Sequence, residues 1–86
     1  MTTNTPAGRA LVTGASSGIG AACVRTLREA SWEVIAVARR ADRLEDLAAE
    51  TGCDTFIADV TKQADVDALV AHTQTLGGVD ALINVA

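Results

Sequence analysis

Thr13-Gly14-Ala15-Ser16-Ser17-Gly18-Ile19-Gly20 is the stretch that decides the fold of this chain of 86 residues. It follows Leu11 and Val12, which end a short apolar run typical of a buried strand, and it opens a helical pattern. The three glycines let the backbone turn sharply and let the new helix pack against the strand. A helix that begins in such a turn directs unpaired N–H groups and a partial positive charge at whatever lies beyond it, and phosphate is the usual occupant.

The rest of the chain alternates between strand and helix patterns. Apolar runs predict strands at 10–14, 33–38, 54–58 and 79–85, and apolar spacing predicts helices at 18–31, at 42–51, and between a Thr61 cap and Gly77-Gly78. Such alternation implies right-handed crossovers and a parallel sheet. We therefore predict an α/β, Rossmann-like three-layer fold with four strands, three helices and strand order 3-2-1-4. It would be incomplete, because a full doubly wound domain has two such halves.

The apolar spacing also predicts which helix residues face the sheet. The first helix should present Ile19, Ala22, Cys23, Leu27 and Ala30, and the third should present Val66, Leu69, Val70, Thr73 and Leu76. Ser31 stands just after the first helix, where a glycine would end the helix more comfortably.

Composition excludes several classes of function. A formal charge of −4 argues against a nucleic-acid partner or an anionic membrane surface, since both need a basic face. The two cysteines, Cys23 and Cys53, and the single histidine, His72, show no metal-ligand spacing, so no metal site is predicted. We expect residues 1–9 to form a flexible N-terminal segment without a secretory signal, residues 10–86 to form one binding domain, and the protein to be cytoplasmic.

Polar residues follow the second and third predicted strands, where ligands of parallel sheets bind. Arg39 and Arg40 stand about twenty residues beyond the glycine turn, where an NAD site would place an acidic residue for the ribose. A guanidinium binds a 2′-phosphate that a carboxylate would repel, so NADP is predicted and NAD is less favoured. The alternative is that Arg39, Arg40 and Arg43 only start a solvated helix. Asp59 and Val60 could bind the edge of an adenine ring, although Asp59 alone would be a turn residue.

Together these segments resemble the short-chain dehydrogenase/reductase family over nearly the whole chain. Thr13–Gly20 is similar to the family's Thr-Gly-x-x-x-Gly-x-Gly segment, Asp59-Val60 to its adenine-contact pair, and Leu82–Ala86 to the start of its Asn-Asn-Ala-Gly segment, with Val85 in place of the second asparagine. The resemblance implies a dinucleotide site formed by Gly14, Ser16, Ser17, Gly18, Ile19, Gly20, Arg39, Arg40, Asp59, Val60 and Asn84.

Individual roles follow from the same resemblance. Ile19 and Gly20 would offer backbone N–H groups to the pyrophosphate. Ser16 and the two arginines would bind the 2′-phosphate, and Asn84 would lie beside the ribose while bracing the central sheet.

The resemblance implies an NADP(H)-dependent oxidoreductase that acts on a small carbonyl or alcohol substrate and is a homo-oligomer when intact. The family's reaction uses a Tyr-x-x-x-Lys pair, and this sequence contains no tyrosine, so we expect it to hold no catalytic residue and to be the cofactor-binding fragment of a longer enzyme. A non-catalytic dinucleotide-binding module is the alternative. A sugar-nucleotide epimerase is disfavoured, because those relatives space their glycines Gly-x-x-Gly-x-x-Gly.

Overall fold

The computed structural model describes residues 7–85. In that part of the chain the elements are β1 (Arg9–Thr13), α1 (Gly18–Glu29), β2 (Glu33–Ala38), α2 (Ala41–Thr51), β3 (Asp54–Ile57), α3 (Gln63–Thr75) and β4 (Ala81–Asn84). The predicted order of strands and helices is confirmed, and the boundaries differ by no more than two residues. Of the segment predicted to be flexible, residues 1–6 lie outside the described residues, and Arg9 is the first residue of β1.

The strands of residues 7–85 form one sheet in the order β3-β2-β1-β4, and every pairing is parallel. This confirms the predicted α/β, Rossmann-like topology. β1 lies between β2 and β4, with Thr13 opposite Val37 on one side and Asn84 on the other. The register therefore brings the carboxyl ends of three strands together at the point where the chain leaves β1 for the glycine turn.

The sheet has a buried apolar cluster on each face. Val12, Val24, Leu44 and Leu47 belong to the cluster under α1 and α2. The opposite cluster joins Leu11, Ile35 and Val37 of the sheet to Leu69 of α3. Alternate residues of β1 thus point to opposite layers, as expected of a strand covered on both faces.

The predicted inward faces of two helices need correction. In α1 the buried residues are Gly20 and Val24, and Ile19 is 71% exposed. The helix packs against the glycine turn at Gly20, so the neighbouring Ile19 points away from the sheet. In α3 only Leu69 is buried, and Val70 is 48% exposed. The buried cluster that Leu69 joins contains no residue of β4, and the apolar stripe of α3 is only partly buried.

The ends of the helices also differ in detail from the predictions. Ser31 takes the left-handed conformation at φ 68° after α1. Its N–H donates to the Arg28 carbonyl and the Trp32 N–H to the Leu27 carbonyl, which is the Schellman arrangement usually built on glycine. Thr61 is not the cap of α3: Lys62 holds that position without a side-chain hydrogen bond.

None of the helices within residues 7–85 is both long and apolar enough to cross a bilayer.

Candidate functional site

The carboxyl ends of β1, β2 and β3 surround a cavity of about 340 Å³. It is lined by Thr13, Gly14, Ser16, Val37, Ala38, Arg39, Arg40, Ala58, Asp59, Val60, Thr61 and Val85. The three strand ends singled out in the sequence therefore meet in one space. Its size falls at the lower end of the range for small-molecule sites, about 300–1,000 Å³.

The first wall of the cavity is the glycine turn. Gly14 has φ 66°, and a Cβ there would overlap the Val85 carbonyl oxygen at the end of β4. A Cβ on Gly20 would overlap the Gly14 carbonyl oxygen and come within 2.8 Å of the Ala15 Cα. Both glycines are thus required by the protein's own packing, one against β4 and the other within the turn.

Gly18 differs from these two glycines. A Cβ there would find no atom within 4 Å, and its φ lies outside the left-handed region. Neither packing nor conformation of the described residues therefore requires a glycine at this position. A glycine would be required at this position if a bound molecule came close to the backbone.

Hydrogen bonding at the start of α1 leaves free donors beside that open space. The Ser17 hydroxyl donates to the Gly14 carbonyl at 2.8 Å and accepts the Gly20 N–H at 3.0 Å. Within residues 7–85 no acceptor is found for the N–H groups of Gly18 and Ile19. The Gly20 N–H, expected from the family resemblance to face a pyrophosphate, is thus already engaged by the cap. Unpaired donors at a helix N-terminus favour an anion.

The end of β2 supplies the positive charge of the site. Arg40 is paired with Asp42 at 3.3 Å, and that hydrogen-bonded pair lowers the pKa of the Asp42 carboxyl below its ordinary value. Arg43 donates to the Ser16 carbonyl at 3.4 Å. For Arg39 the described residues provide no ion-pair or hydrogen-bond partner, and its side chain is exposed at the cavity. Of the two arginines that line the cavity, Arg39 is therefore the one more available to a ligand.

The end of β3 supplies an ionised carboxylate. Asp59 Oδ1 accepts the Thr61 hydroxyl at 2.6 Å and the Thr61 N–H at 3.0 Å. These bonds, followed by the positive charges of Arg39 and Lys62, hold the pKa of Asp59 below its ordinary value. No hydrogen bond within residues 7–85 uses Asp59 Oδ2 or the Val60 N–H. One acceptor and one donor therefore stand side by side at the cavity, which suits the edge of a heterocyclic base.

Asn84 lies at the end of β4, beside the cavity and not in its lining. Its side-chain oxygen accepts the Thr13 hydroxyl at 2.6 Å. This bond joins neighbouring strands at the register position where Thr13 faces Asn84. It accounts physically for the expected bracing of the sheet by this asparagine.

The cavity thus brings together Gly14, Ser16, Arg39, Arg40, Asp59 and Val60 of the predicted set. Ser17, Gly18, Ile19, Gly20 and Asn84 lie beside it at the start of α1 and the end of β4. Sequence reasoning missed Thr61 and Asp65, which hold Asp59, and gave Arg43 no role at the turn. The Asp-x-Thr spacing of Asp59 and Thr61, typical of a side-chain turn, was the available signal.

The match to known proteins covers almost the whole chain. The family model described as short chain dehydrogenase matches residues 8–86. The chain belongs to the short-chain dehydrogenase family. This confirms the resemblance carried by the glycine segment and by the motifs at the later strand ends.

Relatives of this short-chain dehydrogenase chain include proteins of assigned and unassigned activity. An uncharacterised oxidoreductase of Staphylococcus haemolyticus is 42% identical over 81 residues, which cover 90% of this chain and 35% of that protein. The serine 3-dehydrogenase of Agrobacterium fabrum is 41% identical over 80 residues, which cover 90% of this chain and 32% of that protein.

Among solved structures, the L-sorbose reductase of Gluconobacter frateurii, complexed with NADPH and L-sorbose, matches with a TM-score of 0.82. The two are 33% identical, and the match covers 94% of this chain and 34% of the reductase. This short-chain dehydrogenase chain therefore spans about a third of the length of each of these proteins.

Proposed function

We propose that these residues bind NADP(H) and form the cofactor-binding half of a short-chain oxidoreductase. The observation that carries the proposal is the convergence of three features in one cavity: the glycine turn, the exposed guanidinium of Arg39, and the acceptor–donor pair of Asp59 and Val60. The open space at Gly18, with free N–H groups beside it, fits the close approach of a diphosphate.

The charges favour NADP over NAD. A 2′-phosphate would find the Arg39 guanidinium beside the cavity, and a guanidinium can bind it through paired, charge-assisted hydrogen bonds. Neither residue that directly follows β2 is acidic, so no carboxylate stands there for the 2′-hydroxyl of NAD. The reductase of Gluconobacter frateurii that carries NADPH supports the same cofactor by similarity.

In the whole protein, the cofactor would supply a hydride for exchange with a carbonyl or alcohol carbon. The residues of this chain would bind and orient the dinucleotide and stabilise the negative charges of its phosphates. Their sequence contains no tyrosine, so we expect the 86 residues alone to bind the cofactor and not to turn it over. We expect the whole protein to be a cytoplasmic homo-oligomer that acts on a small molecule.

The direct test measures binding of NADPH and of NADH to the whole protein by cofactor fluorescence or calorimetry. We expect NADPH to bind at least about tenfold more tightly, because a hydrogen-bonded charge contributes about 1.5–3 kcal/mol. The Arg39→Asp variant should shift the preference towards NADH. Equal affinity of the unmodified protein for both cofactors would contradict the assignment of NADP.

A non-catalytic dinucleotide-binding module would use the same cavity and give the same binding result. Turnover separates the two functions. Oxidation of NADPH by the whole protein, in the presence of a panel of aldehydes and ketones, would identify the oxidoreductase. Binding without turnover of any member, in both reaction directions, would favour the module.

A further inference from the structure

The loop from Asp59 to Asp65 is closed by hydrogen bonds that converge on Asp59. The Asp59 N–H donates to Asp65 Oδ2 at 2.8 Å, and the Lys62 N–H donates to the Asp59 carbonyl at 3.0 Å. With the two bonds from Thr61 to Oδ1, the backbone and the side chain of Asp59 are both held. Of the two oxygens of the Asp59 carboxylate, only Oδ2 is left without a partner in residues 7–85.

Asp65 is the only one of these partners that reaches Asp59 from a helix. It lies in the first turn of α3, where a negative charge is favoured by the helix dipole, and it is half-buried. The bond that it accepts comes directly after the last bond between β2 and β3, from the Ala58 N–H to the Ala38 carbonyl at 3.0 Å. Asp65 therefore fixes the direction in which the chain leaves β3.

We propose that Asp65 is a positioning residue for base recognition: by holding the Asp59 N–H, it aims the free carboxylate oxygen at the 6-amino group of a purine. The proposal rests on the proposed dinucleotide function and concerns the base, whereas Arg39 concerns the ribose phosphate. An ionised carboxylate can only accept hydrogen bonds, so it favours a 6-amino purine and is repelled by a 6-oxo purine. Selectivity for the 6-amino base depends on the direction in which that oxygen points, because hydrogen bonds weaken steeply as their angle departs from linear.

The probe, used with the whole protein, is the reduced form of nicotinamide hypoxanthine dinucleotide phosphate, in which the 6-amino group of NADPH is replaced by an oxygen. The unmodified protein should bind NADPH about tenfold more tightly than this analogue, the ratio expected for one hydrogen bond to a charged group. In Asp65→Ala the ratio should fall to about twofold or less, because the released Asp59 turns away. The ratio of NADPH to NADH affinity should stay unchanged, since Arg39 follows β2 and no hydrogen bond within residues 7–85 joins it to Asp59 or Asp65.

Two matched variants separate positioning from charge and from helix stability. Asp65→Asn keeps an oxygen that accepts the Asp59 N–H and should keep the full base selectivity. Asp67→Ala removes an equal charge from the same helix and should also keep the selectivity. Within residues 7–85 the Asp67 side chain accepts one hydrogen bond, from the Gln63 side-chain N–H at 2.8 Å. If Asp65→Asn loses selectivity as Asp65→Ala does, or if Asp67→Ala loses it too, the positioning role is refuted.

Amide hydrogen exchange tests the hydrogen bond without any substitution. The Asp59 N–H should exchange slowly in the unmodified chain and become fast in Asp65→Ala; fast exchange in the unmodified chain would overturn the proposal even if Asp65→Ala did not fold. A chain that binds NADPH but shows no base preference overturns this proposal and leaves the proposed function intact. A chain that does not bind NADPH at all overturns both.

Discussion

Gly20 lies so close to the Gly14 carbonyl oxygen that no Cβ can be placed on Gly20 without overlap. The contact sets the distance between the turn and the first residues of α1. Gly18, two residues earlier in the motif, has only open space around the position that a Cβ would take. The two glycines of one motif therefore differ: Gly20 closes the protein's own packing, and Gly18 leaves open space, which the proposed function assigns to the cofactor.

The first prediction compares Gly20→Ala with Gly18→Ala. Gly20→Ala should lower the free energy of unfolding by about 1–3 kcal/mol, the usual cost of overpacking a rigid site. Gly18→Ala should leave stability unchanged or slightly higher, since alanine is the better helix former, and should weaken NADPH binding by about tenfold or more. Thermal unfolding and calorimetric binding on both variants give the comparison. Unimpaired NADPH binding by Gly18→Ala would show that the open space is not used.

The second prediction compares Arg39→Gln with Arg40→Gln. Arg39 has no partner in the described residues, whereas Arg40 is engaged by Asp42. Arg39→Gln should lower the ratio of NADPH to NADH affinity by about tenfold, and Arg40→Gln by no more than about threefold. The difference should shrink as salt is raised, because exposed charges are screened. Equal losses in the two variants would mean that the Arg40–Asp42 pair opens to bind the phosphate.

The elements and the cavity were predictable to different degrees. The glycine segment, the apolar runs and the spacing of Arg39 predicted the topology and the three strand ends, because these signals are local in sequence. The bonds from the Asp59 N–H to Asp65 and from the Thr13 hydroxyl to Asn84 join residues whose distance depends on loop closure and strand register. The exposure of Ile19 follows from the Gly20 contact, which spacing alone does not reveal.

The third prediction concerns the pKa of Asp59. The Thr61 hydroxyl and N–H stabilise the ionised carboxylate and lower its pKa, so a Thr61→Val variant, which keeps only the N–H, should raise that pKa. Because the pKa is lowered in the folded chain, its contribution to stability is present above the ordinary carboxyl pKa and is lost as pH falls through the lowered value. Titration of the Asp59 carboxyl carbon by NMR measures the shift. An unchanged pKa in Thr61→Val would contradict the contribution of the hydroxyl.

The fourth prediction concerns Ser31, whose left-handed φ of 68° is costly for a residue with a Cβ. Ser31→Gly should raise the free energy of unfolding by about 1 kcal/mol, because the strain exceeds the entropy that glycine adds to the unfolded chain. Ser31→Ala should give no such gain, since alanine keeps the Cβ. Chemical denaturation of the three proteins measures both effects. A gain in Ser31→Ala equal to that in Ser31→Gly would point to the hydroxyl and not to the backbone.

The fifth prediction concerns the open edge of β4. Leu82 stands opposite Leu11 in the register, yet Leu82 is 64% exposed and Leu11 only 6%, since Leu11 belongs to the buried cluster with Leu69 of α3 and Leu82 does not. In the described residues β4 pairs with β1 alone, so its other edge presents free backbone groups next to an apolar side chain. Such edges associate. We expect the isolated 86-residue polypeptide to self-associate at micromolar concentration in sedimentation experiments, and Leu82→Lys to reduce this association.

The matched control for Leu82 is Val70→Lys, which places the same charge on an exposed apolar position of α3. If association depends on the strand edge, Val70→Lys should leave the sedimentation profile unchanged while Leu82→Lys shifts it towards the monomer. A lysine at the edge acts twice, since it removes apolar surface and repels a second copy that approaches in register. A monomeric, cooperative unfolding transition of the unmodified polypeptide would contradict self-association through this edge. An equal effect of both variants would mean that the association depends on net charge and not on the strand edge.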